Sequence, residues 1–196
     1  MVKFMHPEGF LEVITGPMFA GKTSELIKRI ERQIFAKRKA ALFKPSIDNR
    51  YSEDKVVAHN GLSYEAFVIP TTEEGVKMIY QKTKKEEFEV IGIDEVQFFP
   101  MSIVEILNKL ADEGIYVIAS GLNLDFKGDA FEVTKELLAM ADNIIYLTAI
   151  CSVCGREATR TQRLINGKPA PRDSPRILVG GMEAYEARCR KHHIVP

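Results

Sequence analysis

Along the first three quarters of the chain, short unbroken apolar runs alternate with longer stretches in which apolar residues recur every three or four positions. The runs predict buried strands over 10–15 (FLEVIT), 39–43 (KAALF), 64–69, 88–93, 115–119 and 143–147. The longer stretches predict helices. One covers 22–37, with Leu26, Ile27, Ile30 and Ile34 on a single face. Another covers 72–84, opening at a Thr72 cap with Glu74 in its first turn. Two more cover 101–113, closed by Gly114, and 131–141. Residues 44–61, rich in Pro, Ser, Asp and Asn, predict a long loop. Such strand–helix alternation predicts an α/β protein with a mostly parallel, doubly wound sheet flanked by helices. After Thr148 the rhythm gives way to Cys, Gly, Pro and Arg, and 167–174 (GKPAPRDS) has no periodicity. We therefore expect a main domain over 1–148 and a small unit over 149–196, too short to bury much core without a metal staple.

Composition narrows the partners. Of 196 residues, Lys plus Arg and Asp plus Glu number 27 each, so no overall positive field gathers nucleic acid, and a small molecule is favoured. No apolar run reaches the roughly 18 residues of a membrane span, and the N-terminus lacks the basic and apolar regions of a signal peptide. The expected compartment is the cytoplasm.

The residues from Gly16 to Thr23 spell GPMFAGKT, a complete G-x-x-x-x-G-K-[ST] pattern between a predicted strand and a predicted helix. Gly16, Pro17, Met18, Phe19, Ala20, Gly21, Lys22 and Thr23 would wrap ATP phosphates in backbone N–H groups. Lys22 would bridge the β and γ oxygens, and the Thr23 hydroxyl would ligate Mg²⁺. The pattern implies a P-loop sheet of the RecA-like kind. Downstream, VIGIDE (90–95) delivers two acids at the strand end where open α/β sheets bind ligands. Asp94 is the natural second partner of Mg²⁺, through water, and Glu95 is left as a base; successive strand residues point opposite ways, which suits separate roles. Spacing alone does not decide whether that base serves water or a substrate hydroxyl.

Cys151-x₂-Cys154 and Cys189-x₂-His192 supply three thiolates and one imidazole, a full tetrahedral set with no position for water, which indicates structural rather than catalytic zinc. His193 competes with His192 for the fourth place. His6 and His59 read as ordinary loop residues.

GPMFAGKT, FKPSIDNRY (43–51), IDEVQFF (93–99), SGLNLDFKGDAF (120–131), TAICSVCG (148–155), RTQRL (160–164) and the VGG-x₃-Y-x₃-C run (179–189) are collinear. Together they resemble the zinc-containing, tetrameric thymidine kinases of the cytosolic and bacterial type. The resemblance implies a fold with a zinc-binding lid. It implies Glu95 as the base that takes the proton of the nucleoside 5′-hydroxyl, and Arg50 as a cation near the transferring phosphoryl group. It also implies a base pocket walled by Met18, Phe98, Leu122, Phe126 and Phe131. A lasso over about 163–180 would close on the base, with Ile177, Val179 and Tyr185 near the nucleoside. Such relatives often carry Cys at the place of His192 and Asp at that of Asn123.

The expected reaction is therefore transfer of the γ-phosphate of MgATP to thymidine, giving a 5′-monophosphate for salvage of DNA precursors; acceptance of deoxyuridine stays open in the sequence. The partners are ATP and thymidine, not nucleic acid or membrane. The resemblance implies a homotetramer, and pathway logic suggests feedback by thymidine triphosphate. The rival is a RecA-like ATPase whose zinc ribbon grips nucleic acid; the absence of a basic aromatic groove argues against it.

Overall fold

A computed structural model describes residues 9–46, 55–57, 63–178, 181 and 184–196. In chain order the elements of the larger unit are β1 (Phe10–Gly16), α1 (Lys22–Phe35), β2 (Ala40–Pro45), β3 (Lys55–Val57), β4 (Ser63–Glu65), β5 (Phe67–Ile69), α2 (Glu73–Lys85), β6 (Val90–Ile93), α3 (Ser102–Asp112), β7 (Tyr116–Leu122), α4 (Glu132–Met140) and β8 (Asn143–Tyr146). Six of these strands form one sheet in the order β5-β2-β6-β7-β1-β8, with every pairing parallel.

Alternation along the strands sorts the core into two layers. Leu11 and Val13 of β1, Ala41 and Phe43 of β2, and Ile91 and Ile93 of β6 pack with apolar residues of α2, α3 and α4. Ile14, Leu42 and Val90 point the other way, onto Leu26, Ile27 and Ile30 of α1. With both faces covered, strands must be apolar on both sides, which is why they read as continuous runs.

The expected strand over 64–69 is two strands. Ser63–Glu65 pairs antiparallel with Lys55–Val57, inside the stretch expected to be loop, whereas Phe67–Ile69 joins the edge of the main sheet beside Phe43–Pro45. The Thr72 cap forms as expected: its hydroxyl accepts from the Gly75 N–H at 3.2 Å.

Among the polar groups buried in this core is a carboxylate. Glu12, 1% exposed, takes the Arg29 guanidinium at 2.9 Å and the Asn143 amide at 2.7 Å, with the Tyr116 hydroxyl at 3.3 Å. It ties β1, β7 and β8 to α1. Replacing Glu12 by Ala would strand these donors, so unfolding stability is expected to fall by about 3 kcal/mol. The measurement is a lower urea midpoint at constant slope.

The C-terminal stretch adds β9 (Ala149–Ile150), β10 (Glu157–Ala158), β11 (Arg160–Ile165), β12 (Lys168–Pro169) and β13 (Tyr185–Arg188), in two small antiparallel sheets. Its apolar cluster is Ala149, Cys151, Ala158 and Ala187, closed over by Phe19 and Ala20 of the phosphate loop together with Cys154 and Cys189. Four small side chains make little core, so this stretch depends on the larger unit and on its cysteine cluster.

Candidate active site

The strand order brings the sequence motifs together. Crossing from β1 to β2 skips the places later filled by β7 and β6, so the carboxyl ends of β1, β6 and β7 line one edge, with Gly16 in register with Leu122. At Gly16 the chain turns sharply (φ +146), and a Cβ there would fall 2.1 Å from the Leu147 carbonyl oxygen, so only glycine fits. Gly21, also in the left-handed region, opens α1.

Within the loop, Lys22 is buried and its ammonium donates to the Pro17 carbonyl at 2.7 Å. Burial lowers its pKa, while the Glu95 and Asp94 charges oppose that shift. The Thr23 hydroxyl donates to Asp94 Oδ2 at 3.0 Å. Two oxygens bound side by side on an octahedral Mg²⁺ lie about 3 Å apart, given metal–oxygen bonds of about 2.1 Å. The hydrogen-bonded pair is thus close enough for both side chains to serve one such ion, Asp94 directly or through water. Asp94 is 6% exposed; its carboxyl is pushed up to about 7, first by burial and then by the Glu95 charge, with the Thr23 hydroxyl acting in the opposite sense.

The expected separation of the two acids by strand pleat does not apply, because β6 ends at Ile93. Glu95 instead has φ 48, in the left-handed region, at the head of a single 3₁₀ turn over Val96–Phe98. A non-glycine residue there carries about 1–2 kcal/mol of backbone strain. Glu95 Oε2 accepts from the Gln97 side-chain amide at 2.5 Å, and Gln97 Oε1 accepts from the Leu122 N–H at 3.1 Å.

Of the expected base-pocket residues, Phe126 and Phe131 are buried at 2% and 7% exposed, and Met18, Phe98 and Leu122 are half-buried. Tyr185 is buried and Ile177 exposed. Arg50 and Val179, with His6 and His59, lie outside the described residues.

The stretch expected to form the lasso is held by arginines. Arg163, 2% exposed, stacks over Phe126 at 4.1 Å and donates to the Tyr185 hydroxyl and to the Pro175 and Arg176 carbonyls. The Tyr185 hydroxyl in turn donates to the Leu178 carbonyl at 2.7 Å. Arg172 pairs with Asp129 at 3.1 Å, and Arg176 with Asp125 at 2.9 Å. On the phosphate-loop side, the Met18 N–H donates to the Thr161 hydroxyl at 3.0 Å. Sequence reasoning singled out neither Gln97, Thr161 nor Arg163. The only sign of Gln97 was one polar residue amid the apolar Val96, Phe98 and Phe99.

Cys151, Cys154, Cys189 and His192 converge, with all ligand atoms within 4.8 Å of one another. Cys154 and Cys189 sulfurs are 3.8 Å apart, and His192 Nδ1 lies 3.7 Å from the Cys151 sulfur and 3.3 Å from that of Cys189. Zinc–sulfur bonds of about 2.3 Å imply tetrahedral edges of about 3.8 Å, so the set can hold a zinc ion. His193 is engaged elsewhere, its Nε2 lying 2.8 Å from the Phe126 carbonyl. Burial tends to raise the Cys151 pKa, but the Cys189, Val153 and Cys154 backbone groups and the His192 ring outweigh it and bring the thiol down to about 5.

Comparison with known proteins agrees with this geometry. The family model for thymidine kinase matches residues 9–193. The chain is 79% identical over 195 residues to the thymidine kinase of Thermococcus kodakarensis, covering all of this chain and 99% of that one. It is 58% identical over 186 residues to the thymidine kinase of Pyrobaculum aerophilum, covering 95% and 99% of the two chains. Similarity that runs unbroken from the phosphate loop through the cysteine cluster means that the chain belongs to the thymidine kinase family.

Proposed function

We propose that this member of the family transfers the γ-phosphate of MgATP to the 5′-hydroxyl of thymidine, yielding a nucleoside monophosphate for salvage into DNA. The observation that carries the reading is the meeting of Thr23 with Asp94 at the mouth of the phosphate loop, with Glu95 next in the chain. Thr23 and Asp94 would hold Mg²⁺, which neutralises phosphate charge. Lys22, with Arg50, would stabilise charge on the moving phosphoryl group. Glu95 takes the proton of the 5′-hydroxyl; that oxygen forms the new bond to phosphorus as the bond to the β–γ bridging oxygen breaks, and ADP leaves.

Met18, Phe98, Leu122, Phe126 and Phe131 wall the base, and the stretch over 163–180 covers it, bringing Ile177, Val179 and Tyr185 to the nucleoside. The hold of Arg163 on the Pro175 and Arg176 carbonyls supports a preformed backbone surface there. Residues 149–196 act as a zinc-stapled unit with Cys151, Cys154, Cys189 and His192 as ligands. Among the described residues no helix is long and apolar enough to cross a membrane. By family likeness it would be a homotetramer, and pathway logic would make it subject to feedback by thymidine triphosphate.

The test is incubation with MgATP and each common nucleoside, identifying products by mass. Thymidine monophosphate as the main product supports the reading; ATP turnover without any nucleoside monophosphate sinks it in favour of a hydrolase. The state of Asp94 gives a second test. With its pKa raised to about 7, the carboxyl is partly protonated in the empty site at neutral pH, and a divalent cation favours the charged form. MgADP binding is therefore expected to release protons near pH 7 and to tighten as pH rises from about 6 to 8. Calorimetry in buffers of different ionisation enthalpy reads this directly, and heats independent of buffer would mean that Asp94 is already ionised.

A further inference from the structure

We infer that Gln97 is a positioning residue for phosphoryl transfer, an amide bracket that locks the Glu95 carboxylate to the carboxyl end of β7 and, through it, to the strand that launches the phosphate loop. The inference rests on Glu95 being the base.

The burial of Gln97 and three hydrogen bonds carry it. Gln97 is 7% exposed, so its amide must find both a donor and an acceptor within the protein. A backbone N–H can only donate, so the contact with Leu122 N at 3.1 Å fixes which end of the amide is oxygen. The NH₂ end is then turned to Glu95 Oε2 at 2.5 Å, where it can only donate and so requires an unprotonated carboxylate oxygen. One residue before Leu122, the Gly121 carbonyl accepts from the Thr15 hydroxyl at 3.0 Å, immediately ahead of Gly16. A continuous path thus runs from β1 through the end of β7 and the Gln97 amide to the base.

Gly121 shows that space was kept for this bracket. A Cβ there would lie 2.6 Å from Gln97 Oε1 and 2.9 Å from Val96 Cγ1. The need for a bracket follows from the backbone. Glu95 sits beyond the end of its strand in a left-handed conformation, so no sheet pairing orients its side chain. With one carboxylate oxygen tied, rotation about the terminal torsion is stopped and the second oxygen is fixed as well. A base must meet its proton within hydrogen-bond reach, and a displacement of about 1 Å lowers rate by about 100-fold.

The test is a double-mutant cycle on the single-turnover rate of nucleoside phosphorylation at saturating MgATP and thymidine, using Gln97→Leu, Glu95→Gln and the pair. Gln97→Leu alone is expected to slow the chemical step by about 10- to 100-fold while both KM values stay within about threefold. In the Glu95→Gln background, adding Gln97→Leu is expected to change the residual rate by less than about twofold, since the group it positions is gone. Gly121→Ala, which displaces the amide without altering it, is expected to reproduce the pattern and serves as the second variant if Gln97→Leu folds poorly. Equal losses in both backgrounds, a rise in KM matching the loss of rate, or no loss at all would overturn the bracket. Full activity of Glu95→Gln alone would instead overturn the assignment of the base beneath it.

Discussion

Replacing Glu95 by Gln is expected to slow thymidine phosphorylation by about 1,000-fold, the loss typical of removing a general base and equivalent to about 4 kcal/mol of transition-state stabilisation. The change keeps the shape of the side chain and its capacity to accept from the Gln97 amide, so position is preserved while the ability to take a proton is lost. The local electrostatics add a second expectation with the opposite sign. Glu95's charge is one of the two causes that push the Asp94 carboxyl up, burial being the larger. Removing that charge lowers the Asp94 pKa, so at neutral pH more of it is charged and ready to meet a cation. MgATP affinity should therefore hold or improve as turnover collapses. Steady-state kinetics with parallel MgADP titration separates the cases: falling kcat with equal or lower KM for MgATP fits a base, whereas a parallel loss of nucleotide affinity means that the substitution has damaged the loop itself. Retained phosphorylation within about tenfold would remove Glu95 from the chemistry.

The parts of the fold that were legible in the sequence are those whose local pattern has one physical cause. Strands such as FLEVIT and VIGI are apolar on both sides because helices cover both faces of the sheet, and the Leu26, Ile27 and Ile30 stripe of α1 needs only one covered face. What was illegible depended on partners distant in sequence. Residues 64–69 form an uninterrupted extended pattern, but only Phe67–Ile69 has the main sheet beside it, while Ser63–Glu65 pairs with Lys55–Val57. In RTQRL, the polar side chains of Thr161, Gln162 and Arg163 suggest an open surface; all three are 3% exposed or less, because main-chain carbonyls, a tyrosine hydroxyl and the phosphate-loop backbone satisfy them. The site shows the same division. The phosphate loop, the two acids and the cysteine pairs are contiguous in sequence and could be read there. The Gln97 bracket could not, since its partners are a left-handed turn and a strand end 25 residues away.

Removing the metal from the cysteine cluster is expected to abolish thymidine phosphorylation while leaving the main sheet folded. A structural zinc contributes about 10–16 kcal/mol of binding free energy that is also folding free energy. The stretch it would staple has Ala149, Cys151, Ala158 and Ala187 as its buried apolar cluster, too little to hold without help. Its loss propagates in two directions. Cys189 directly follows β13, whose Tyr185 anchors Arg163 and through it the Pro175 and Arg176 carbonyls, so nucleoside binding fails. Thr161 leaves the Met18 N–H, and Phe19 and Ala20 lose the surface on which they pack, so the phosphate loop loosens as well. Cys189→Ser, or chelation after mild unfolding, should therefore reduce activity by more than about 100-fold and raise KM for thymidine before that for MgATP, with helical circular dichroism largely kept; in the chelated protein, whose four ligands are intact, Zn²⁺ but not Mg²⁺ should restore activity. Acid should act on the same site with a definite sign. A Cys151 thiol lowered to about 5 stays deprotonated through neutral pH and takes up its proton only as pH falls past that value. Bound zinc itself keeps its thiolates deprotonated, so the metal is expected to be held at neutral pH and released only below about pH 5, which a colorimetric zinc chelator would follow. Full activity in protein stripped of zinc would show that the cluster does not brace the site, and that the Arg163 network holds the nucleoside cover without it.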